Sequence, residues 1–523
     1  MTIITKPDGV DAKSPKHFLF APMPLWGHLR PNIALAANLL SRDPNLLVTF
    51  LVPALHAVPA SKEFAKHKLL GNERFKIVEY GPRQFEEKAK EDPYMNAGQM
   101  VENAVKLPEY FKPIYAQLLT GEVIEDHSTG KPIYPFSAPP TVAIIDSSLC
   151  PRTYPVVDYF NNLLPDDKQK VKVVMIGATG STHSAWYTLE TLEEGRVQSY
   201  PSRCSKIMDS PPEEREHAYE KWLGSNADVV NLPDCAPIHV YEAQPNQRDV
   251  FHPYVQYFLP LLPVVAAYVT IWPAFLGREY NERMVNSGKN VLQIGPQYSP
   301  LVEDATSLPT GVLKDFLDTA LEEKGRNSVV YISFGTLFCP ASPDQLTVLL
   351  DVLILLDIRF VLVKGLISDV KYPEIKAKVD KTSTGIMVDW APQLSVLAHE
   401  ATGWFLTHGG SNSVMEAIKM RVPMLFWPCE ADQVWISNQF TRKLKVGYEF
   451  LQVRNGSNIG KRTYTGWLVV GDRQAIYKEF VEVFQNLLTD IRGIEMRRRI
   501  QELGTQLEED TTSERDLLKL LDI

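Results

Sequence analysis

The sequence predicts an α/β protein made of two parallel-sheet units in tandem. Three observations carry that expectation. The chain has 523 residues, more than one ordinary core accommodates. Short apolar runs alternate with helical patterns, the signature of strand–helix–strand units. That alternation stops at a Gly/Pro-containing stretch, QIGPQYSP (293–300), and then starts again.

In the first unit HFLFAP (17–22) is an apolar run bounded by a proline and followed by a loop. A helical pattern then runs from Pro31 to Leu40. LLVTFLV (46–52) and FKIVEY (75–80) are rich in β-branched and aromatic residues and read as strands. A longer helix is expected over 96–120, and the polar, proline-containing segment 122–140 reads as loop. TVAIID (141–146) and VKVVMIG (171–177) are continuous apolar runs, as strands covered on both faces should be. In the second unit the strands are SVVYISFG (328–335), RFVLVKG (359–365), GIMVDW (385–390), GWFLT (403–407) and PMLFW (423–427). Helices near 343–356, 393–399, 413–420 and 432–444 separate them. This divides the chain into a first domain (1–292), a linker (293–300), a second domain (301–494) and a helical tail (495–523). Ligands of such sheets bind beyond the carboxyl ends of the strands, so the cleft between two sheets is the expected site.

Composition excludes several classes. Apolar residues make up 45% and charged residues 22%, as in a water-soluble domain. A formal charge of −9 argues against nucleic acid or anionic lipid as the main partner. Cys150, Cys204, Cys235, Cys339 and Cys429 are odd in number and form no CxxC, which suits reduced thiols in the cytoplasm and no zinc site. MTIITKPDGVDAKSPK at the N-terminus lacks the apolar core of a signal peptide. Phe258 to Leu276 is long enough to raise a membrane question, but Pro260, Pro263 and Pro273 interrupt it, so no integral span is expected. Asn455-Gly-Ser fits a glycosylation acceptor that a cytoplasmic chain leaves unused.

THGGSNSVMEA (407–417) leaves a strand and enters a helix. Two readings compete. Ser413 and Glu416 fit a capping box, which would make this a plain capped turn. Alternatively, Gly409 and Gly410 let the backbone approach an anion, with Asn412, Ser413 and His408 as donors at a helix N-terminus.

The wider stretch decides between them. WAPQ, a later His, THGG, N-S-x-x-E, VPM, P and DQ fall within the 44 residues from Trp390 to Gln433. In identity and spacing they resemble the donor-binding box of UDP-dependent glycosyltransferases (family 1), the plant secondary product glycosyltransferase box. The resemblance extends more weakly from APMPLWGHLRP near residue 24 to the C-terminus. It implies the GT-B fold, two Rossmann-like domains facing across a cleft, with the last helix crossing back to the first. It also implies roles. Trp390 would stack on uracil, and Ala391 and Gln393 would read its edge. His408, Gly410, Asn412 and Ser413 would hold the diphosphate, with Thr336 and, more weakly, Ser333 of SFGT as further contacts. Glu416 would accept from ribose hydroxyls, and Asp432 and Gln433 would hold the sugar. The chain departs from the plant box at Gly409-Gly410-Ser411, where Cys-Gly-Trp is usual; that Trp goes with glucose preference, so Ser411 leaves the sugar open.

LWGHLRP (25–31) resembles the family's G-H-x-x-P segment, which makes His28 the general base. An acceptor hydroxyl needs its proton removed as it attacks, and imidazole titrates in the right range. Asp146, ending TVAIID, matches the family's partner carboxylate. The chain contains no Asp-x-Asp, and the helix N-terminus and His408 would carry the leaving group's charge, so no metal and no cofactor is expected beyond the UDP-sugar co-substrate.

Three rivals stand beside this. VVMIGATGS (173–181) resembles the start of an NAD(P) site of an oxidoreductase, although His183 stands where its third glycine belongs. A sugar-nucleotide-binding protein without catalysis would show a damaged catalytic pair. A third reading is a related enzyme acting on sterols at membranes. The expectation is an inverting O-glycosyltransferase, a monomer, that moves glucose from UDP-glucose to a hydroxyl of a small, largely apolar acceptor such as a phenol, flavonoid, terpenoid, sterol or lipid. Segments 84–110 and 181–220, including Trp186, are where the acceptor pocket is expected.

Overall fold

The computed structural model describes residues 15–81, 93–126, 129–165, 169–188, 205–246, 259–298, 307–336, 340, 342–365, 367, 372–487 and 490–523, with backbone alone at 93–105, 187–188, 216 and 487. The first sheet has seven strands: β1 (His17–Ala21), β2 (Leu47–Pro53), β3 (Phe75–Tyr80), β4 (Val142–Asp146), β5 (Lys172–Gly177), β6 (Ala267–Thr270) and β7 (Val291–Gln293). All pair in parallel, in the order β7-β6-β5-β4-β1-β2-β3. The second has six parallel strands: β8 (Val329–Ser333), β9 (Arg359–Val363), β10 (Gly385–Val388), β11 (Thr402–Thr407), β12 (Met424–Phe426) and β13 (Gly447–Glu449). Their order is β10-β9-β8-β11-β12-β13. Both are Rossmann orders. Each has one point where successive strands run off in opposite directions, between β1 and β4 in the first sheet and between β8 and β11 in the second, and ligands gather at such points.

Side-chain alternation along β1 builds both faces of the first sheet. Phe18 and Phe20 join Ile33 and Leu35 of helix α1 (Trp26–Arg42) in one core. Leu19 and Ala21 face the other way, onto Phe111, Ile114 and Tyr115. Helix α1 starts five residues before the expected Pro31. Pro31 lies inside it and has no N–H to give the Gly27 carbonyl four residues earlier. The segment 122–140, expected to be loop, carries a small antiparallel pair, Ile124–Glu125 with Pro132–Ile133. The apolar run ending at Leu276 folds as two short 3₁₀ turns around buried β6, and among the described residues no helix is long and apolar enough to cross a membrane.

The two units interlock. From helix α4 (Gln433–Asn438) of the second, Val434 and Trp435 enter a core of the first; Trp272 and Leu276 of the first enter a core of the second. Helix α5 (Ile491–Glu508) remains with the second unit, where Ile500 and Leu503 pack with Val414 and Ile418 of helix α3 (Ser411–Lys419). The crossing back is made by helix α6 (Thr511–Leu521), later than residue 495. It seats Leu517, Leu520 and Leu521 in the first core, and buried Asp516 Oδ2 accepts from the Gln293 N–H at 3.0 Å. Leu520→Ala should cost about 2–5 kcal/mol, the range for emptying a buried leucine site. Glu514→Ala, which removes a partner of Arg42 at the surface, should cost about 1 kcal/mol or less. Urea denaturation of both variants checks the contrast.

Candidate active site

The switch point of the first sheet holds His28 and Asp146. His28 sits in the first turn of α1, just beyond β1, and Asp146 is the last residue of β4. His28 Nδ1 and Asp146 Oδ2 are 2.7 Å apart. The other carboxylate oxygen accepts from the Ser148 N–H at 2.9 Å, and the Asp146 side chain is fully buried. The carboxylate is therefore fixed from both ends, and it fixes the ring. Burial is the largest influence on His28 and opposes its charge. Asp146, by charge and hydrogen bond, and Asp432, by charge, outweigh it, so the His28 pKa lies above its ordinary 6.5.

The switch point of the second sheet holds His408, just after β11, with Ser333 and Thr336 at the end of β8. Ser333 is buried and Thr336 is exposed. The glycines around His408 have a packing reason of their own. A Cβ on Gly335 would lie 2.7 Å from the His408 ring, and one on Gly410 would lie 2.5 Å from its Nε2. The imidazole is sandwiched between two loops that must lack side chains. Gly409 meets a second demand, a φ of +90°. Burial lowers the His408 pKa to about 4, against a backbone contact with Ser333. The ring is thus neutral near pH 7, and what it can offer an anion is a hydrogen bond.

The capping-box alternative does not form. Helix α3 begins at Ser411 with Gly410 as N-cap, so Ser413 is already inside the helix. Glu416 does not reach back to the helix start; its Oε1 accepts from Arg30 Nη1 and its Oε2 from Gln393 Nε2, both at 2.7 Å. Gln393 Nε2 also reaches Ser413 Oγ at 3.2 Å. Trp390 is 70% exposed, an open stacking platform, while the neighbouring Ala391 is buried. Asn412 Nδ2 donates across the cleft to the Gly27 carbonyl at 2.7 Å, the acceptor that Pro31 leaves without an intrahelical partner. Ser411 Oγ likewise donates to the Ala178 carbonyl at 2.7 Å.

Asp432 precedes α4, and burial pushes its pKa up to about 7 against the pull of His28. Gln433 Oε1 is engaged by the N–H groups of Cys429 and Glu430, at 2.7 and 3.0 Å, which leaves its amide nitrogen as the group it can offer a ligand. Sequence reasoning missed Arg30. It lies inside the G-H-x-x-P segment, but nothing in that spacing shows that it meets Glu416, 386 positions away.

The glycines of GATG serve packing. A Cβ on Gly177 would meet the Tyr268 hydroxyl at 2.6 Å, and one on Gly180 would touch Ile436 and Trp272. Helix α2 (Ser181–Thr188) begins with buried Ser181 and Thr182, and Ser411 of the second unit covers the turn. No dinucleotide cradle remains there. Trp186 packs against Trp435 and Trp222, with ring centroids 4.9 and 6.3 Å away. Residues 84–92 and 189–204 of the segments expected to hold the acceptor lie outside the described residues.

Known proteins agree with this architecture. Medicago truncatula UGT71G1 complexed with UDP-glucose superposes with a TM-score of 0.64 at 18% identity, covering 97% of this chain and 98% of its own. That likeness shows the fold, GT-B. The family described as UDP-glucoronosyl and UDP-glucosyl transferase matches residues 303–454, which contain the whole donor box. The UDP-glycosyltransferase eriJ of Hericium erinaceus is 26% identical over 498 residues, 90% of each chain. Together these likenesses support a family 1 UDP-glycosyltransferase. Cis-zeatin O-glucosyltransferase 1 of Zea mays is 31% identical over 42% of this glycosyltransferase and 46% of its own length.

The raised His28 pKa fixes the sign of a pH effect. A base must be neutral, and His28 becomes neutral as pH rises through its pKa. The acid limb of kcat/KM, which reports the free enzyme, should therefore fall above pH 6.5. Asp146→Asn removes two of the raising influences and should move that limb to lower pH while depressing the plateau. A limb that stays in place in Asp146→Asn would show that His28 does not titrate in it.

Proposed function

We propose that this glycosyltransferase inverts configuration, moving glucose from UDP-glucose to a hydroxyl of a small, largely apolar acceptor without a metal ion. The observation that carries the reading is the meeting of the two switch points, with His28–Asp146 on one and the His408 loop with the start of α3 on the other, bridged by Asn412 and Gly27.

Asp146 takes the proton side of His28 Nδ1, which leaves Nε2 as the acceptor. In this scheme Nε2 takes the proton of the acceptor hydroxyl as its oxygen bonds to the glucose C1. The bond from C1 to the diphosphate oxygen breaks, UDP departs with that electron pair, and the α-linked donor becomes a β-glycoside. The first N–H groups of α3 and the neutral His408 meet the charge gathering on the diphosphate. Trp390 stacks on uracil, Ala391 and Gln393 read its edge, Asn412, Ser413 and Thr336 support the phosphates, and Glu416 accepts from ribose. Asp432 and the Gln433 amide hold sugar hydroxyls. UDP-glucose in the Medicago truncatula structure and the O-glucosyltransferase named among the relatives favour glucose and an oxygen acceptor.

His28→Ala should lower turnover by about 10² to 10⁴, the range for a general base, and leave UDP binding in place. Trp390→Ala should weaken UDP and UDP-glucose together. EDTA should leave turnover unchanged; a loss restored by Mn²⁺ or Mg²⁺ would overturn the metal-free scheme. Between equimolar donors, glucose should transfer ahead of galactose, since inverting one hydroxyl leaves polar groups of the site unpaired. UDP-xylose should be tolerated and UDP-glucuronate poor, because the Asp432 carboxylate faces the sugar. Preferential transfer of galactose or glucuronate would reject this assignment of the sugar site.

A further inference from the structure

We propose that Arg30 is a positioning residue that couples the nucleotide's ribose to the helix bearing His28. The proposal rests on the reading of Glu416 as the ribose acceptor. Arg30 stands two residues after His28 in α1. Its Nη1 donates to Glu416 Oε1 at 2.7 Å, and its Nε reaches Glu63 Oε1 at 3.4 Å. Glu63 is also served by Lys66 at 2.9 Å, so the shorter and stronger tie is the one across the cleft.

This tie is one of a pair. Gly27 and Arg30, three residues apart, share a face of α1, and Asn412 and Glu416, four apart, share a face of α3. The Gly27 carbonyl accepts from Asn412, and Arg30 donates to Glu416. His28 lies between the two ties. Its ring is held to the first sheet by Asp146, while the backbone that carries it is held to the donor helix. A shift of α1 against α3 would move Nε2 relative to the sugar C1, and about 1 Å of misplacement costs roughly 10²-fold in rate.

The carboxylate of Glu416 can serve both sides at once. An ionised carboxylate has about four acceptor positions, and Arg30 and Gln393 account for two. Two ribose hydroxyls fit the others. Gln393 alone would keep Glu416 aimed at ribose, so losing Arg30 should leave binding largely intact and loosen the coupling to α1. A salt bridge that only held the domains together would change stability and spare the split between kcat and affinity.

The test uses the full chain, with Arg30→Met, which keeps the stem and removes the donors, and Arg30→Lys, which keeps the charge at one point. UDP affinity is read by calorimetry. Steady-state turnover is read with UDP-glucose and with its 2′-deoxyribose analogue. Arg30→Met should lower kcat about 10- to 100-fold while the UDP Kd moves less than about threefold, and Arg30→Lys should recover part of kcat. The 2′-deoxy donor should slow the unaltered enzyme, and that loss should be smaller in Arg30→Met, because both changes break one chain of contacts. Unchanged kcat, a loss confined to KM, or losses that simply multiply would overturn the coupling. If Arg30→Met does not fold, Arg30→Lys with lowered kcat and unaltered UDP Kd still supports it, and unaltered kcat overturns it. Glu416→Gln separates the underlying reading: UDP binding as tight as in the unaltered enzyme would refute the ribose contact itself, and the coupling with it.

Discussion

Two helix N-termini from two separate sheets must face each other, and the rest of this structure depends on that constraint. The proposed substitution at a sugar carbon needs a base on one side and a place for the departing diphosphate on the other. A Rossmann sheet offers one switch point, so one sheet cannot supply both. Here α1 brings His28 from the first sheet and α3 brings the His408 loop from the second. Pro31 withholds an N–H from the Gly27 carbonyl, and Asn412 of the opposite helix takes that carbonyl instead. A local defect in one helix is thus the joint between two domains. The exchange of Val434 and Trp435 for Trp272 and Leu276, and the return of α6, hold the same alignment with apolar area.

Two histidines show how environment sets the task of one side chain. Burial discourages charge on both rings. His28 faces the Asp146 carboxylate at 2.7 Å and a second carboxylate, Asp432, farther off, and its pKa rises. His408 sits between Gly335 and Gly410 with a backbone contact, and its pKa falls to about 4. The first is poised to gain a proton, and the second stays a neutral donor. Asp432, pushed up to about 7 by the same burial, adds a third group whose charge responds near neutrality.

The glycines make a parallel point about motifs. Gly177 and Gly180 stand after a strand and before a helix, as in a dinucleotide site, yet Tyr268, Trp272 and Ile436 fill the space above them. Gly335 and Gly410 lie far apart in sequence and share one purpose, room for an imidazole. A glycine states that something comes close; its neighbours in space say what.

Much was legible in the sequence. The strands were short β-branched runs, and because local pattern alone marks a buried parallel strand, the two-sheet architecture could be read along the chain. The stretch from Trp390 to Gln433 could be matched to a family box for a related reason: one strand–loop–helix unit keeps its residues at a fixed spacing. The start of α1 was misplaced because Pro31 reads as a first-turn residue, and only packing shows the helix running through it. The Ser413–Glu416 capping box stayed open as an alternative in the local sequence because a carboxylate's partner is chosen in space; in the structure Arg30 and Gln393 hold Glu416 in place of a backbone N–H three residues away. The sequence by itself therefore determined the secondary elements, the fold and the residue types at the site, since these follow from local periodicity and fixed spacing. Which carboxylate holds which cation, which histidine's pKa rises and which falls, and how the two helix ends meet were decided only by tertiary structure, because burial and contacts hundreds of positions apart set those energies.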